Sequence, residues 1–263
     1  MTLQSQTHSS LLTESWVQAG RLLTRWRRDH GVMVGSLLFP ISLMLVYEVV
    51  LGEQVRKVTG VDGVYGLAPL CAVLSAVFGA LGGAVSISSE RDSGLLSKMW
   101  VLPVHRTSAL AGRVIADAVR SFFGTVMVTG LGVAMGLRFT HGWLTALPYV
   151  LIPSIAVAGF TALVMALAIR INGRNVMIWL VGVTVSLAFL NPGTTPIGLY
   201  PGWLQPFVRV QPMSPPIEAM WALAHGGSIV WPLAMTLLWT IGMLAMFTPI
   251  AMRGYRLAAE ACA

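Results

Sequence analysis

The segment GLAPLCAVLSAVFGALGGAVSI, residues 66–87, decides the fold class of this chain. Its 22 residues include no Asp, Glu, Lys, Arg or His. A helix needs about 20 predominantly apolar residues to cross a bilayer, because each residue adds about 1.5 Å to a path of about 30 Å. The segment therefore predicts a membrane-spanning helix.

Five further apolar runs accompany this segment. The six runs cover residues 31–51, 66–87, 114–137, 144–169, 176–190 and 229–252. The fifth run has only 15 residues and is soon followed by Pro192, which stops a helix. We therefore predict an all-α polytopic membrane protein with six transmembrane helices. Its single domain over 1–263 would comprise an amphipathic segment 1–30, a six-span bundle 31–252 and a cytoplasmic tail 253–263.

The composition agrees with a bilayer environment. Hydrophobic residues make up 56% of the 263 residues and charged residues only 10%, whereas soluble domains carry about 25% charged residues. The net charge of +7 would also suit a nucleic-acid surface, but the arginines fall between the apolar runs, where they set membrane orientation. We expect no nucleic-acid partner and, since no Cys/His cluster exists, no metal site.

Arginine and lysine are distributed unequally between the connecting segments. Twelve lie in segments 1–30, 88–113, 170–175 and 253–263, and four lie in the alternate segments. Cytoplasmic loops carry the excess of these residues in membrane proteins. The asymmetry predicts a multi-pass protein whose two termini are both cytoplasmic.

Residues 1–30 contain an amphipathic helical pattern. The apolar positions recur at spacings of four and three and share one face of a helix, with basic positions opposite. These faces are formed by Leu12, Trp16, Ala19, Leu23 and Trp26, and by Arg21, Arg25 and Arg28. Such a helix typically lies at the membrane surface with its tryptophans among the headgroups. The alternative is a solvated helix that merely leads into the first span.

Ionisable residues avoid the centres of all six runs. Glu48 lies near the outer end of the first run, and Asp117 and Arg120 lie near the inner end of the third, spaced so that they can pair. Transporters driven by ion gradients usually carry ionisable groups at membrane depth. We therefore expect the energy for any transport to come from another protein.

Neither lysine belongs to a nucleotide-binding loop. A P-loop requires glycine, lysine and then Ser or Thr in sequence, whereas Lys57 precedes Val58 and Lys98 precedes Met99. The nucleophile elbow G-x-S-x-G is also missing from the sequence. We expect this chain to be no enzyme and to bind no cofactor itself.

Two connecting segments have residue patterns that an ordinary solvated loop rarely has. Segment 88–106 is predicted to be cytoplasmic and begins with a charged cluster. Segment 191–228 is predicted to be external and contains seven prolines together with Trp203, Phe207 and Trp221. Because a solvated loop is rarely so aromatic, we predict a re-entrant outer helical segment between spans five and six.

These stretches are similar to those of a known family. The pattern Glu90-Arg91-x-x-Gly94-Leu95-Leu96, with VLPVHR at 101–106, resembles the loop after span two of ABC-2-type transporter permeases. YPGWLQPF at 200–207 and QPMS at 211–214 resemble the outer re-entrant segment of that family, and LLTRW at 22–26 resembles the entry to its first span. Within the family, the chain resembles the daunorubicin/doxorubicin-resistance exporters of actinobacteria.

The resemblance implies a permease subunit of an ATP-driven exporter in the bacterial plasma membrane. It implies a second permease chain, identical or different, and two ATP-binding subunits that hold ATP and Mg²⁺. The implied cargo is bulky and amphipathic, such as an anthracycline-like drug or a polyketide-derived envelope lipid, and moves toward the outer leaflet. The alternatives are an ABC-2 permease for polysaccharide or other lipid-linked cargo, and a non-transporting membrane scaffold or immunity protein.

The first candidate site is an ATPase-coupling stretch. Its charged residues would pair with the ATPase, and its glycine would allow a tight turn. The alternative is a solvated charge cluster that only enforces topology. The stretch comprises Glu90, Arg91, Asp92, Ser93, Gly94, Leu95 and Leu96.

The second candidate site is an outer gate. Trp203 and Phe207 would share one face of a short helix, and Pro216 with its preceding proline would open a second helix. Glu218 would lie in the first turn of that helix, near the positive end of its dipole. The alternative is a hydrophobic plug with a structural role alone. The gate comprises Pro201, Trp203, Phe207, Pro212, Pro216 and Glu218.

Overall fold

The structure, a computed structural model, describes residues 11–92, 107–169 and 173–260. All regular elements in these ranges are helical, which confirms the predicted all-α class. The α-helices described are α1 Leu11–Arg28, α2 His30–Thr59, α3 Val64–Asp92, α4 Ser108–Ala134, α5 Ala146–Ala168, α6 Gly173–Phe189, α7 Gln205–Val210, α8 Ser214–His225 and α9 Val230–Glu260. Two short 3₁₀ helices cover Trp143–Thr145 and Ile197–Leu199.

Five of the described helices are long and apolar enough to cross a membrane. Their spanning parts are Met33–Thr59, Val64–Ile87, Ser108–Ala134, Trp143–Ala168 and Val230–Gly254. These correspond to five of the six predicted runs. The remaining run forms α6, whose apolar part Asn175–Phe189 is shorter. At about 1.5 Å per residue it extends roughly 22 Å, less than the core of a bilayer.

The centre of the bundle is formed by α3 and α5. α3 packs against α2, α4, α5, α6 and α8, and α5 packs against α4, α6, α8 and α9. Leu70, Leu74 and Leu81 of α3 and Tyr149 and Met165 of α5 are fully or almost fully buried. In lipid, close packing of side chains rather than transfer from water holds such helices together.

The helices α2 and α9 lie at the periphery and present apolar side chains outward. Val49 of α2 is 85% exposed and Ile241 of α9 is 62% exposed. A large apolar surface of this kind marks contact with lipid or with another protein. It agrees with a chain that resides in a membrane.

The first helix, α1, packs along α4. Ser15 and Ala19 are buried in this contact, whereas Trp16 is 60% exposed. Gly112 of α4 permits the approach, since a Cβ at this position would lie 2.5 Å from the Cβ of Gln18 and 3.0 Å from the carbonyl oxygen of Ser15. Small residues allow helix backbones to come this close.

The length of α3 separates two ends of the bundle by roughly 40 Å. The α1 end comprises residues 11–28, 87–92 and 108–120. The α8 end comprises residues 55–66 and 190–228. The first predicted site falls at the α1 end and the second at the α8 end.

Candidate functional site

A buried carboxylate, Glu90, organises the α1 end. It lies in the last turn of α3 and is only 5% exposed. The Arg113 guanidinium of α4 donates a hydrogen bond to Glu90 Oε2. The guanidinium nitrogens of Arg21 and Arg25 of α1 lie 3.9 Å from Glu90 Oε1. One acidic side chain therefore joins α1, α3 and α4.

Arg113 is as deeply placed as its partner, at 7% exposed. A buried ion pair contributes little net stability compared with apolar residues, but removal of one partner leaves an uncompensated charge at a cost of about 3–5 kcal/mol. Arg21 and Arg25 remain more open to solvent, with side chains 43% and 65% exposed. Among the described residues, Glu90 therefore has one close and buried partner, Arg113, and two more distant and exposed ones, Arg21 and Arg25.

A second ion pair lies further along α4. The Arg120 guanidinium donates to Asp117 Oδ1, which confirms that this predicted pair forms. The hydroxyl of the buried Thr161 donates to Asp117 Oδ2 over 2.8 Å, which joins α4 to α5. Arg113, Asp117 and Arg120 line a cavity of about 230 Å³ between α1, α3, α4 and α5.

The predicted coupling stretch is only partly described. Arg91 and Asp92 belong to the last turn of α3, and residues 93–96 lie outside the described residues. Glu90 was expected to face the ATPase, but its carboxylate is turned into the chain and is already paired. Arg113 was not predicted as its partner, because the two residues are 23 positions apart and no local spacing relates them.

The predicted interfacial helix is a helix in the structure, with a different use of its faces. Ala19, assigned to the face toward lipid, is buried against α4. Arg21 and Arg25 lie near Glu90 and remain partly open to solvent. Trp26 is half-buried, and its indole N–H donates to the hydroxyl of Ser36 over 3.0 Å. Arg28 is exposed.

At the α8 end, neutral side chains bind carbonyl groups that the irregular backbone leaves free. The Gln211 amide donates to the carbonyl oxygen of Leu190 and, over 2.9 Å, to the hydroxyl of Ser214. The Asn191 side chain donates to Ala188 O and accepts from Gly193 N over 2.7 Å. These bonds tie the chain after α6 to the start of α8.

The chain after α6 also approaches the start of α3 at two glycines. A Cβ on Gly66 would overlap the carbonyl oxygen of Gly193. A Cβ on Gly193 would lie 2.6 Å from the carbonyl oxygen of Gly66. Both obstacles are backbone atoms, so the contact requires glycine on both sides.

The predicted gate residues are divided between surface and interior. Pro201, Trp203 and Phe207 are exposed, Trp203 by 79%. Pro212 and Glu218 are half-buried and Pro216 is buried. The gate residues therefore do not form one continuous face.

Two details of this prediction are wrong. α7 begins at Gln205, so Trp203 lies in the preceding turn and shares no helical face with Phe207. α8 begins at Ser214 with Pro215 and Pro216 in its first turn, as predicted, but this places Glu218 beyond the first turn. The effect of the helix dipole fades beyond that turn, so the dipole does not account for Glu218.

A larger cavity of about 410 Å³ lies at the α8 end. It is lined by the C-terminal end of α2, the start of α3, the chain after α6, and α8. Glu218 faces this cavity, and burial raises its pKa, an effect that the nearby charge of Arg209 partly opposes. The cavity was not predicted, because it depends on four segments that are distant in sequence.

Comparison with known proteins identifies the family. Residues 14–225 match the family of ABC-2 type transporters. The matched region begins in α1 and ends with α8, so it includes the Glu90 cluster and the whole segment after α6.

Two relatives are similar over nearly their whole length. The "Probable doxorubicin resistance ABC transporter permease protein DrrC" of Mycobacterium tuberculosis is 37% identical, over 93% of this chain and 89% of the relative. The "Daunorubicin resistance ABC transporter permease protein DrrB1" of Streptomyces coeruleorubidus is 24% identical, over 94% of this chain and 86% of the relative. Both relatives are permeases and not enzymes by name. With its five long apolar helices and its match over most of its length, this chain belongs to the ABC-2 type transporter family, as a permease of the doxorubicin- and daunorubicin-resistance group.

Proposed function

We propose that this chain is the transmembrane subunit of an ATP-driven exporter that moves a bulky amphipathic compound toward the outer leaflet. The observation that carries the proposal is the 37% identity to a doxorubicin-resistance permease over 93% of the chain. The chain supplies the path, and two partner subunits would bind and hydrolyse ATP with Mg²⁺. A second permease chain would complete the path, and the exposed apolar side chains of α2 and α9 offer surfaces for it.

The proposed topology has six spans and places both termini in the cytoplasm of a bacterial cell. α6 would form the short span, with the chain after it remaining in the outer leaflet as a re-entrant segment. Irregular backbone survives at membrane depth where it is buried in protein, and the carbonyl groups near Asn191 and Gln211 are satisfied in this way. α1 would lie at the inner surface, with the exposed Trp16 among the headgroups.

This topology predicts which engineered cysteines react with a membrane-impermeant maleimide in whole cells. Cys71 is buried, so a C262S variant should show little labelling before a cysteine is introduced. A cysteine at position 203 should react from outside, and one at position 28 should react only after the cells are opened. Reaction at position 28 in intact cells would disprove the orientation.

We assign coupling to residues 91–96, and to Glu90 a role in positioning that stretch. Because Glu90 joins α1 and α4 to the end of α3, a movement of the stretch would be passed to both helices. The double variant E90Q/R113M removes both buried charges, so neither is left without its partner. We expect doxorubicin-stimulated ATPase activity to fall several-fold while basal ATPase activity is retained. The matched control is E53Q, which alters an exposed carboxylate on α2.

We assign to the segment 201–218 a role in closing the exit. Its support is the mixture of exposed aromatic residues, typical of membrane interfaces, and the buried Pro216 against the bundle. The segment would cover the path between two permeases and open outward as cargo leaves. A disulfide or bulky label that fixes it should block export and leave ATP binding intact.

The function is tested by co-expression of the chain with its ATPase in inverted membrane vesicles. We expect the two proteins to co-purify and the vesicles to accumulate doxorubicin when ATP is added. A variant ATPase that lacks its P-loop lysine is the control and should abolish accumulation. Failure to co-purify would support a non-transporting membrane protein, and ATP-dependent movement of lipid-linked cargo without doxorubicin would support the alternative exporter.

A further inference from the structure

The cavity of about 410 Å³ at the α8 end has a distinctive lining. Its volume falls within the range of about 300–1,000 Å³ that is usual for small-molecule sites. Among the described residues that line it, the side chains that can carry charge at neutral pH are two carboxylates, Asp62 and Glu218. They approach the cavity from different segments, Asp62 from the turn before α3 and Glu218 from α8.

The basic residues of this region lie away from the lining. Arg56 pairs with Asp62 over 3.6 Å, but both side chains are about two-thirds exposed, so water weakens the attraction. Lys57 pairs with Glu53 on the same helix. Arg209 of α7 acts on Glu218 but does not line the cavity. Among the described residues, the lining itself therefore carries two carboxylates and no basic side chain.

An aromatic wall stands beside the carboxylates. Tyr65 of α3 and Trp221 of α8 both line the cavity. The His225 ring lies between them, with centroid distances of 5.3 Å to Tyr65 and 4.8 Å to Trp221. This contact fixes both aromatic rings at the cavity edge. Aromatic faces attract cations, and their bodies provide apolar contact area.

The rest of the lining is apolar. It includes Val58, Ile197 and Ile217 together with Pro192 and Pro196. A metal ion or a small inorganic cation would make no contact with these apolar side chains. A fully apolar molecule would leave the carboxylates desolvated without compensation. The two halves of the lining match a molecule that is apolar over most of its surface and positively charged at one point.

We propose that this cavity binds an organic cation, with its ammonium group between Asp62 and Glu218 and its apolar body against Tyr65, Trp221 and the aliphatic wall. The proposal rests on the proposed export function in one respect, that the bound molecule is cargo near its point of release. The whole site lies within one permease chain. Asp62 and Glu218 would recognise the charge, and the other lining residues would match the shape of the bound molecule.

The test measures binding without transport. The permease is purified with its ATPase in lipid nanodiscs, without nucleotide, and titrated with doxorubicin, which carries a protonated amino sugar and is fluorescent. The aglycone doxorubicinone has the same ring system and lacks the amino group. Tetraphenylphosphonium serves as a second cation that offers no hydrogen bonds. We expect the wild-type complex to bind both cations more tightly than the aglycone.

Three variants locate the binding. E218Q and the double variant D62N/E218Q should weaken doxorubicin binding, the double variant by on the order of tenfold or more, which corresponds to about 1.4 kcal/mol. Their affinity for doxorubicinone should be unchanged. E53Q removes an exposed carboxylate near the C-terminal end of α2, outside the cavity lining, and should bind like the wild type. Co-purification with the ATPase as a single peak in size-exclusion chromatography shows that each complex is folded.

Three results would overturn the proposal. They are equal loss of affinity for the drug and its aglycone, equal effects of E53Q and E218Q, and failure of the wild-type complex to bind either cation. ATP-dependent export by the wild-type complex is measured on the same samples. Export that persists while the site variants bind normally would reject the site and leave the proposed function standing, whereas binding without export would reject the function alone.

Discussion

The two ends of the bundle are held by different interactions. At the α1 end, the contacts between helices involve full charges: Glu90 of α3 pairs with Arg113 of α4, and Asp117 of α4 accepts a hydrogen bond from Thr161 of α5. At the α8 end, neutral amides bind backbone carbonyls and glycines allow backbones to touch. The difference follows from the local backbone. Long regular helices satisfy their own carbonyls, whereas the broken chain after α6 needs donors from side chains.

The comparison implies that single substitutions at the α1 end have the larger effects. R113M keeps most of the side-chain volume and leaves Glu90 buried without its close partner, while Arg21 and Arg25 remain 3.9 Å away. We expect a loss of about 3–5 kcal/mol, the usual cost of a buried charge without its partner. Because membrane proteins often unfold irreversibly, the loss is measured as a fall in apparent melting temperature at one scan rate.

The double variant E90Q/R113M provides the control for this prediction. It removes both charges, so it should recover much of the stability that R113M loses. The exposed variant R28Q should differ little from the wild type. A double variant as unstable as the two single variants combined would show that the pair is not coupled and would remove the basis of the comparison.

The largest effect expected at the α8 end comes from G66A. Its new methyl group overlaps the carbonyl oxygen of Gly193, and overpacking of this kind costs about 1–3 kcal/mol. G112A at the α1 end should cost less, since the nearest atom is the Cβ of Gln18 and α1 can shift outward. The measurement is the apparent melting temperature of each purified variant.

Gly79 supplies the matched control. A Cβ on this residue of α3 meets no atom within 4 Å. G79A should therefore be neutral or stabilising by up to about 1 kcal/mol, since alanine favours a helix over glycine. If G79A and G66A were equally destabilised, the contact between Gly66 and Gly193 would not be the cause.

A smaller effect is expected for Q211L. The substitution keeps an apolar stem and removes the amide that binds Leu190 O and the Ser214 hydroxyl. Loss of donors to buried neutral groups costs about 1–3 kcal/mol, and we expect the lower part of that range because Leu190 lies at the end of a helix. Hydrogen exchange should increase near residues 190 and 214, whereas exchange in α1 should stay the same.

The smallest effect is expected for E218Q, and it depends on pH. Burial raises the pKa of Glu218, so its protonated form is favoured in the folded protein. The resulting stabilisation is fully present below the pKa that Glu218 has in the unfolded chain. It is lost as the pH rises through the higher pKa of the folded protein. The nearby charge of Arg209 partly opposes this rise in the pKa of Glu218.

E218Q should therefore melt slightly above the wild type near pH 7, and the difference should disappear as the pH falls toward 4. E53Q serves as the exposed comparison. A melting temperature lowered by E218Q at neutral pH would indicate that the carboxylate stabilises the fold. Weaker cation binding together with unchanged or higher stability would instead separate a binding role from a structural one.

Short-range sequence patterns correctly predicted several helices. Five of the six apolar runs are helices of spanning length, and the two prolines at 215–216 lie in the first turn of α8. The same reasoning placed Trp203 inside a helix, although α7 begins two residues later at Gln205, with Pro206 near its start. Glu218 was placed one turn too early for the same reason, because helix starts are fixed by backbone contacts that propensity does not show.

The partners of the charged residues could not be read from their spacing. The pair Asp117–Arg120 was predictable because positions three apart share one helical face. Glu90 and Arg113 belong to different helices and are 23 positions apart in the sequence. A charged cluster next to a loop favours a surface contact on composition alone, and the structure instead turns Glu90 inward.

The sequence by itself determined the membrane class, the all-α fold and the family, because hydropathy and short motifs act over a few turns of chain. The tertiary structure decided which residues meet. The Glu90–Arg113 pair, the contact of Gly66 with Gly193 and the acidic, aromatic cavity all join segments that are far apart in sequence. Their distances depend on how helices pack, and packing is set by the shapes of many side chains together.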